Sequence, residues 1–174
     1  GEFTINIALI ENNVPIGGVI AAPASGIVYF GESGYGSFKS ILNKDTKSTD
    51  EIFAKIKQLN PENLKKDETI KIAVSRSHLD ETTIQYIEKL KQNQTVETTE
   101  AGSAIKIGLL AEGLAHIYPR FSPCMEWDIA AGFGIVNQLD FQFISTETGK
   151  KLNFNKKNLL VNGFVALKDK KFLP

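Results

Sequence analysis

Apolar and polar side chains alternate from the first residues. The run Phe3-Thr4-Ile5-Asn6-Ile7-Ala8-Leu9-Ile10 has the two-residue period of a half-buried strand. Glu11-Asn12-Asn13 is turn chemistry and residues 14–22 resume as a second strand, which predicts a hairpin. Pro23-Ala24-Ser25-Gly26 makes the next turn and Ile27-Val28-Tyr29-Phe30 a third strand. Gly31 and Gly34-Tyr35-Gly36 then lead into a short fourth strand near Ser37-Phe38-Lys39. Four strands joined by tight turns predict an antiparallel meander. Residues 43–69 are polar and interrupted by Pro61. Within them Ile52, Phe53, Ile56 and Leu59 have helical spacing, so a short amphipathic helix is expected inside a solvated excursion.

From residue 70 the rhythm changes. Residues 70–74 read as a buried strand, 79–90 as a helix, 95–99 as a β-rich segment and 103–111 as a second helix. A strand over 115–118, a third helix over 127–138, and strands over 141–145 and 164–167 complete the series. Strands alternating with helices imply a sheet covered by helices. The fold class is therefore α/β with mixed α+β layers, an antiparallel meander followed by an α/β layer. The natural division is 1–69, the meander plus the polar excursion, and 70–174, the α/β half.

Composition narrows the functional classes. Lys plus Arg and Asp plus Glu both number 20 in 174 residues, so the net charge is zero and a basic nucleic-acid footprint is not expected. No apolar run approaches the roughly 20 residues of a membrane span. Gly1-Glu2-Phe3 has no basic leader pattern, and the chain has no initiator Met, which suggests a piece of something longer. A single cysteine, Cys124, fits a reducing compartment and a cytoplasmic location. With only His78 and His116 beside it, a Cys/His zinc site is improbable, so a metal here would be held by oxygen, as Mg²⁺ is.

Three helix starts carry candidate chemistry. In Ser75-Arg76-Ser77-His78-Leu79-Asp80, Ser77 and Asp80 have capping-box spacing, which makes Ser77 a cap, while Ser75 and His78 sit at a strand-to-helix junction where α/β folds contact ligands. In Ala101-Gly102-Ser103-Ala104-Ile105-Lys106, Ser103 is a good N-cap, and the free amides of the first turn form an anion site beside Lys106. A plain cap with a surface lysine is the commoner explanation of that run. In Glu126-Trp127-Asp128-Ile129-Ala130-Ala131-Gly132, Asp128 opens a helix whose small residues permit close packing. Upstream, Arg120 of Tyr118-Pro119-Arg120-Phe121 ends a strand, placed either for bidentate bonds to a phosphate or for a surface ion pair.

Taken in order, these motifs resemble the magnesium-dependent phosphatases of the inositol monophosphatase superfamily, in particular the CysQ-type 3′(2′),5′-bisphosphate nucleotidases. The resemblance runs from residues 2–10 through Ser75-Arg76-Ser77-His78, Gly102-Ser103 with Lys106, Ala111-Glu112-Gly113 and Tyr118-Pro119-Arg120-Phe121. Trp127-Asp128-Ile129-Ala130-Ala131-Gly132 matches the family's Trp-Asp-x-Ala-Ala-Gly signature. The resemblance implies a sugar-phosphatase-like αβαβα sandwich, with 1–69 as the remainder of an amino-terminal catalytic half and 70–174 as the carboxy-terminal half. It implies Mg²⁺ as cofactor and Asp128 as a metal ligand that also lies near substrate. Ser103, Lys106, Arg120 and, less directly, Ser75 become substrate-binding residues for a nucleotide bisphosphate.

The family's first metal motif, Asp-Pro-(Ile or Leu)-Asp-Gly-Thr, and an earlier glutamate do not occur in this sequence. No complete catalytic set is therefore expected here. The implied reaction is hydrolysis of adenosine 3′,5′-bisphosphate to AMP and phosphate, removing a by-product of sulfur assimilation, with the 174 residues alone inactive. The missing amino-terminal segment, or a complementary chain, is the expected partner, and without it apolar surface should be exposed. An inositol- or sugar-phosphate phosphatase and a non-catalytic phosphate-binding fragment are the alternatives.

Overall fold

The computed structural model describes residues 2–43, 45–46, 48–63, 65, 68–76 and 79–174. The meander forms as β1 (Ile5–Glu11), β2 (Val14–Ala22), β3 (Ile27–Glu32) and β4 (Gly36–Ile41), each antiparallel to the next. Asn12 and Asn13 turn the first hairpin with φ of 49° and 65°, the left-handed backbone that two-residue hairpin loops demand.

The helix expected from Ile52 to Leu59 is only partly present. Helix α1 (Thr49–Phe53) buries none of its residues, and Leu59 instead closes a fifth strand, β5 (Lys57–Leu59), on the edge of β4. Leu59 gains burial by pairing opposite Ser37, which a single helical turn does not offer.

The second sheet contains β6 (Ile70–Ser75), β7 (Val96–Ala101), β8 (Ile117–Arg120), β10 (Gln142–Ser145) and β12 (Phe164–Leu167), ordered β10-β12-β8-β6-β7. Strands β6, β7 and β8 run parallel, while β12 and β10 are antiparallel additions. A two-residue ladder joins β9 (Cys124–Met125) to β11 (Leu160–Val161).

Helices α3 (Ile105–Glu112) and α4 (Glu126–Val136) lie between the sheets, and α2 (Glu81–Lys91) covers the far face of the second sheet. The order is sheet, helix pair, sheet, helix. Glycines set the spacing of the first interface: a Cβ on Gly18 would lie 2.0 Å from the Ala131 carbonyl oxygen, and one on Gly134 would lie 2.5 Å from the Gly17 carbonyl carbon. Phe133, Phe143, Phe154 and Phe164 fill the core behind them in edge and stacked contacts.

Strand β1 is half-buried, with its apolar row turned outward. Ile5, Ile7 and Leu9 are exposed, while Asn6 and Ala8 face α4. Register places Ile7, Val19, Phe30 and Phe38 in one row across the outer face, with the two phenylalanine rings stacked at 5.4 Å. No helix among the described residues is long and apolar enough to cross a membrane.

Candidate phosphate-binding site

Parallel β6, β7 and β8 direct their carboxyl ends to one edge of the sheet, where open α/β folds receive ligands. Ser75 ends β6, Arg120 ends β8, and β7 runs through Gly102-Ser103 into α3. With α4 arriving from the side, a cavity of about 330 Å³ forms there. Its lining includes Ser75, Ser103, Lys106, Arg120 and Asp128, so the five residues singled out in the sequence surround one space. Asn6 and Tyr118 complete the polar wall. Ser77 and His78 lie outside the described residues. Asp80 caps α2, accepting from the Thr83 amide at 2.8 Å, so the helix begins later than expected.

Lys106 is not the surface lysine that a plain capped helix would carry. It is 3 % exposed, because α3 is apolar on nearly every side and leaves its second residue no wet face. Its Nζ donates to the carbonyls of Ala101 at 3.2 Å and Ser103 at 2.9 Å and stands 5.3 Å from the Tyr118 ring centroid. Burial, then the Arg120 guanidinium, push its pKa down to about 8, against the opposing pull of Glu2.

Arg120 is fixed from the protein side. Nε donates to the Ser122 carbonyl at 3.3 Å and Nη2 to the Pro123 carbonyl at 3.1 Å, and burial pushes the neighbouring Tyr118 hydroxyl up to about 12. Two cations thus face one cavity and repel each other, an arrangement that an anion relieves.

Ser103 does not cap α3. Ala104 holds that position without a side-chain bond, and Ser103 adopts a left-handed φ of 50° with its hydroxyl 2.6 Å from the Thr4 hydroxyl. Two amides leading into α3 are already engaged: Gly102 N donates to Glu2 Oε2 at 2.6 Å, and Ala104 N reaches Thr4 Oγ1 at 3.5 Å. That amide, followed by Arg76, holds the Glu2 carboxyl below its usual range.

Asp128 is the third residue of α4, exposed at the cavity rim, with Oδ2 accepting from the Met125 amide at 3.1 Å. One carboxylate suits a hard cation but is one ligand, and among the described residues no three His, Cys, Asp or Glu side chains converge on a metal position. Glu126, two residues before, is 3 % exposed and accepts from the Asn155 and Lys156 amides at 2.6 and 3.2 Å.

Glu2, Thr4, Asn6 and Glu126 escaped the sequence reading, since nothing local ties them to residues some 30 to 100 positions away. Among the described residues, Asn6 carries a buried Oδ1 without a hydrogen-bond partner. A neighbouring depression of about 520 Å³ shares Ser75, Tyr118 and Arg120 and adds Leu79, Pro119 and Pro123. A further cavity of about 480 Å³ is lined by His116, Phe141 and Lys168. There Lys168 Nζ donates to the Pro61 carbonyl at 2.9 Å and His116 Nδ1 accepts from the Lys71 amide at 3.1 Å, without a converging pair of buried cations.

Layered sheets and helices, with Lys106, Arg120 and Asp128 around one cavity beside the strand ends, make a mixed α+β protein with a charged site at the sheet edge. The chain belongs to the inositol monophosphatase family, whose model matches residues 1–166. It is 37% identical over 169 residues to the 3′(2′),5′-bisphosphate nucleotidase CysQ of Buchnera aphidicola, covering 95% of this chain and 57% of that protein. The crystal structure of CysQ from Bacteroides thetaiotaomicron superposes with a TM-score of 0.84 at 36% identity, covering 98% of this chain and 64% of that one. Staphylococcal IMPase-II shares the fold, with a TM-score of 0.69 at 16% identity over 95% of this chain and 56% of that one. The chain thus spans little more than half the length of the curated relative.

Proposed function

We propose that these residues form part of a magnesium-dependent phosphatase that hydrolyses the 3′-phosphate of adenosine 3′,5′-bisphosphate, yielding AMP and phosphate. The observation that carries this reading is the buried Lys106 ammonium beside Arg120 on a cavity rimmed by Asp128. Likeness to the CysQ proteins supplies the substrate class. Asn6 Oδ1 offers a buried acceptor for a ligand hydroxyl or amine, which suits a nucleoside phosphate. The depression beyond Ser75 and Arg120 has the apolar character to take the rest of that ligand.

Lys106, Arg120 and Ser103 bind and orient the phosphates and neutralise their charge. Asp128 supplies one carboxylate to the cation site, and bound Mg²⁺ lends Lewis-acid chemistry to the phosphoryl group and the attacking water. Water attacks phosphorus in line, the bond to O3′ breaks, and that oxygen leaves as a hydroxyl after gaining a proton. The remaining ligands come from a polypeptide segment outside these residues or from a complementary chain, which also covers the open row of Ile7, Val19, Phe30 and Phe38. The reading includes a cytoplasmic setting, where this hydrolysis removes a by-product of sulfur assimilation.

The test supplies the upstream segment of a CysQ protein, fused or in trans, and assays phosphate release with and without Mg²⁺. Metal-dependent turnover is expected from the completed protein and none from the 174 residues alone. A completed protein that prefers inositol monophosphate over adenosine 3′,5′-bisphosphate would replace the nucleotidase reading with that of an inositol phosphatase.

A further inference from the structure

We propose that Glu2 and Thr4 are positioning residues, a two-point clamp that holds Gly102 and Ser103 in the conformation that presents Lys106 to the cavity. The role rests on the phosphate-binding reading of that cavity.

Glu2 binds two segments of the site at once. Oε2 accepts from the Gly102 amide at 2.6 Å, and Oε1 lies 3.0 Å from Nη1 of Arg76, the residue after Ser75. Two residues along, the Thr4 hydroxyl lies 2.6 Å from Ser103 Oγ and 3.5 Å from the Ala104 amide. The segment leading into β1 therefore grips both the β6 end and the turn into α3.

The gripped turn needs holding. Ser103 has a φ of 50°, a left-handed backbone that costs a non-glycine residue free energy and persists only where its surroundings enforce it. That conformation aims the Ser103 carbonyl at Lys106 Nζ, 2.9 Å away, and α3 itself gives Ser103 no capping bond in exchange. A serine relaxing to cap the helix would withdraw one of the two carbonyls that fix the ammonium, the other being Ala101. Gly102 leaves room for the clamp, since a Cβ there would come within 2.8 Å of Glu2 Oε2. Neither Glu2 nor Thr4 lines the cavity, so each acts through Gly102 and Ser103.

The experiment compares Glu2→Ala, Glu2→Gln, Thr4→Val and Thr4→Ser with the parent chain. Amide exchange at Gly102 and Ala104 is read by NMR, with calorimetric affinities for adenosine 3′,5′-bisphosphate and inorganic phosphate and melting temperatures alongside. Thr4→Val and Glu2→Ala should each speed exchange about tenfold and weaken nucleotide binding about tenfold, the size of one lost charge-assisted or strain-holding bond. Thr4→Ser and Glu2→Gln, which keep an acceptor oxygen, should recover most of both effects at an unchanged melting temperature. Unchanged exchange or unchanged affinity in Thr4→Val and Glu2→Ala would overturn the clamp, as would equal losses in the conservative variants. A parent that binds neither probe removes the phosphate-binding reading instead, and exchange alone then decides whether the turn is clamped.

Discussion

Lys106 and Tyr118 meet with the ammonium 5.3 Å from the ring centroid, and no carboxylate forms an ion pair with that ammonium among the described residues. The helix residue and the strand residue thus share a buried wall on which carbonyl dipoles and a π face hold the charge.

The first prediction is a pH dependence. Burial, with Arg120 adding to it, lowers the Lys106 pKa from 10.5 to about 8. The charged form that a phosphate needs is present below that value and lost above it. Affinity for adenosine 3′,5′-bisphosphate should be level from pH 7 to 8 and then fall, approaching about tenfold per pH unit if one proton is taken up on binding. Stability without ligand moves the other way: between about 8 and 10.5 the unfolded chain holds more protons, so unfolding free energy rises with pH across that window. Lys106→Met should lose about 2 kcal/mol of binding at pH 7, roughly thirtyfold, and lose the pH break. Calorimetry across the range decides it, and a break that survives in Lys106→Met would reassign the titration.

Gly18→Ala tests the contact between the first sheet and α4. A Cβ there would sit 2.0 Å from a backbone oxygen of Ala131, which cannot move without shifting the helix that carries Asp128. Overpacking against backbone should cost about 3 kcal/mol, lowering the melting temperature by roughly 10 °C for a chain of this size. Gly17→Ala, on the same strand with ordinary strand backbone and a Cβ that would meet nothing nearer than the Gly31 carbonyl oxygen at 3.3 Å, is the control for the backbone term. Equal melting temperatures for the two variants would remove close packing as the reason for Gly18.

Much of this arrangement was legible in the chain itself. Alternation and the Asn12-Asn13 turn mark the meander, and the helix starts and the strand end before them carry Ser75, Ser103, Lys106, Arg120 and Asp128, which share one cavity. What was not legible was decided at long range. Period two shows that β1 alternates but not which side faces α4, which is decided across the sheet, where Gly18, paired with Ala8, is closed against Ala131. Strand β5 has one buried apolar residue in three and no readable period. Ser103 has the local chemistry of a cap, yet Thr4, 99 residues away, claims its hydroxyl. The burial of Lys106 did have a signal. A lone lysine in Ile105-Lys106-Ile107-Gly108-Leu109-Leu110-Ala111 has no polar face to join.

A third prediction concerns Tyr29 and Glu112, which tie β3 to the end of α3. The buried Tyr29 hydroxyl donates to Glu112 Oε1 at 2.6 Å while Lys39 Nζ donates to Oε2 at 2.6 Å. A carboxylate at a helix C-terminus opposes the macrodipole, so both donors are needed to hold it there. Tyr29→Phe should cost about 2 kcal/mol in urea unfolding, and Tyr29→Phe with Glu112→Gln should cost less than the sum of the two single changes. Strict additivity would show that the two side chains do not act as one network.

Glu126 supplies the last prediction. Its buried carboxylate accepts from the Asn155 and Lys156 amides at 2.6 and 3.2 Å and lies 3.8 Å from the Lys156 ammonium. Phe154, next in the same loop, bonds through its amide to the Asn13 carbonyl of the first hairpin. The start of α4, and with it Asp128, is therefore anchored to a loop that is anchored in turn to the meander. Glu126→Ala leaves two amides without their acceptor and removes the carboxylate beside the Lys156 ammonium, which keeps the Leu160 carbonyl, and should lower stability by about 3 kcal/mol. Glu126→Gln keeps one acceptor and should lose about 1 kcal/mol. Exchange at the residue 155 and 156 amides should rise in the same order, ahead of global unfolding. Faster exchange only together with global unfolding would mean that the carboxylate stabilises the whole protein and does not hold this loop in particular.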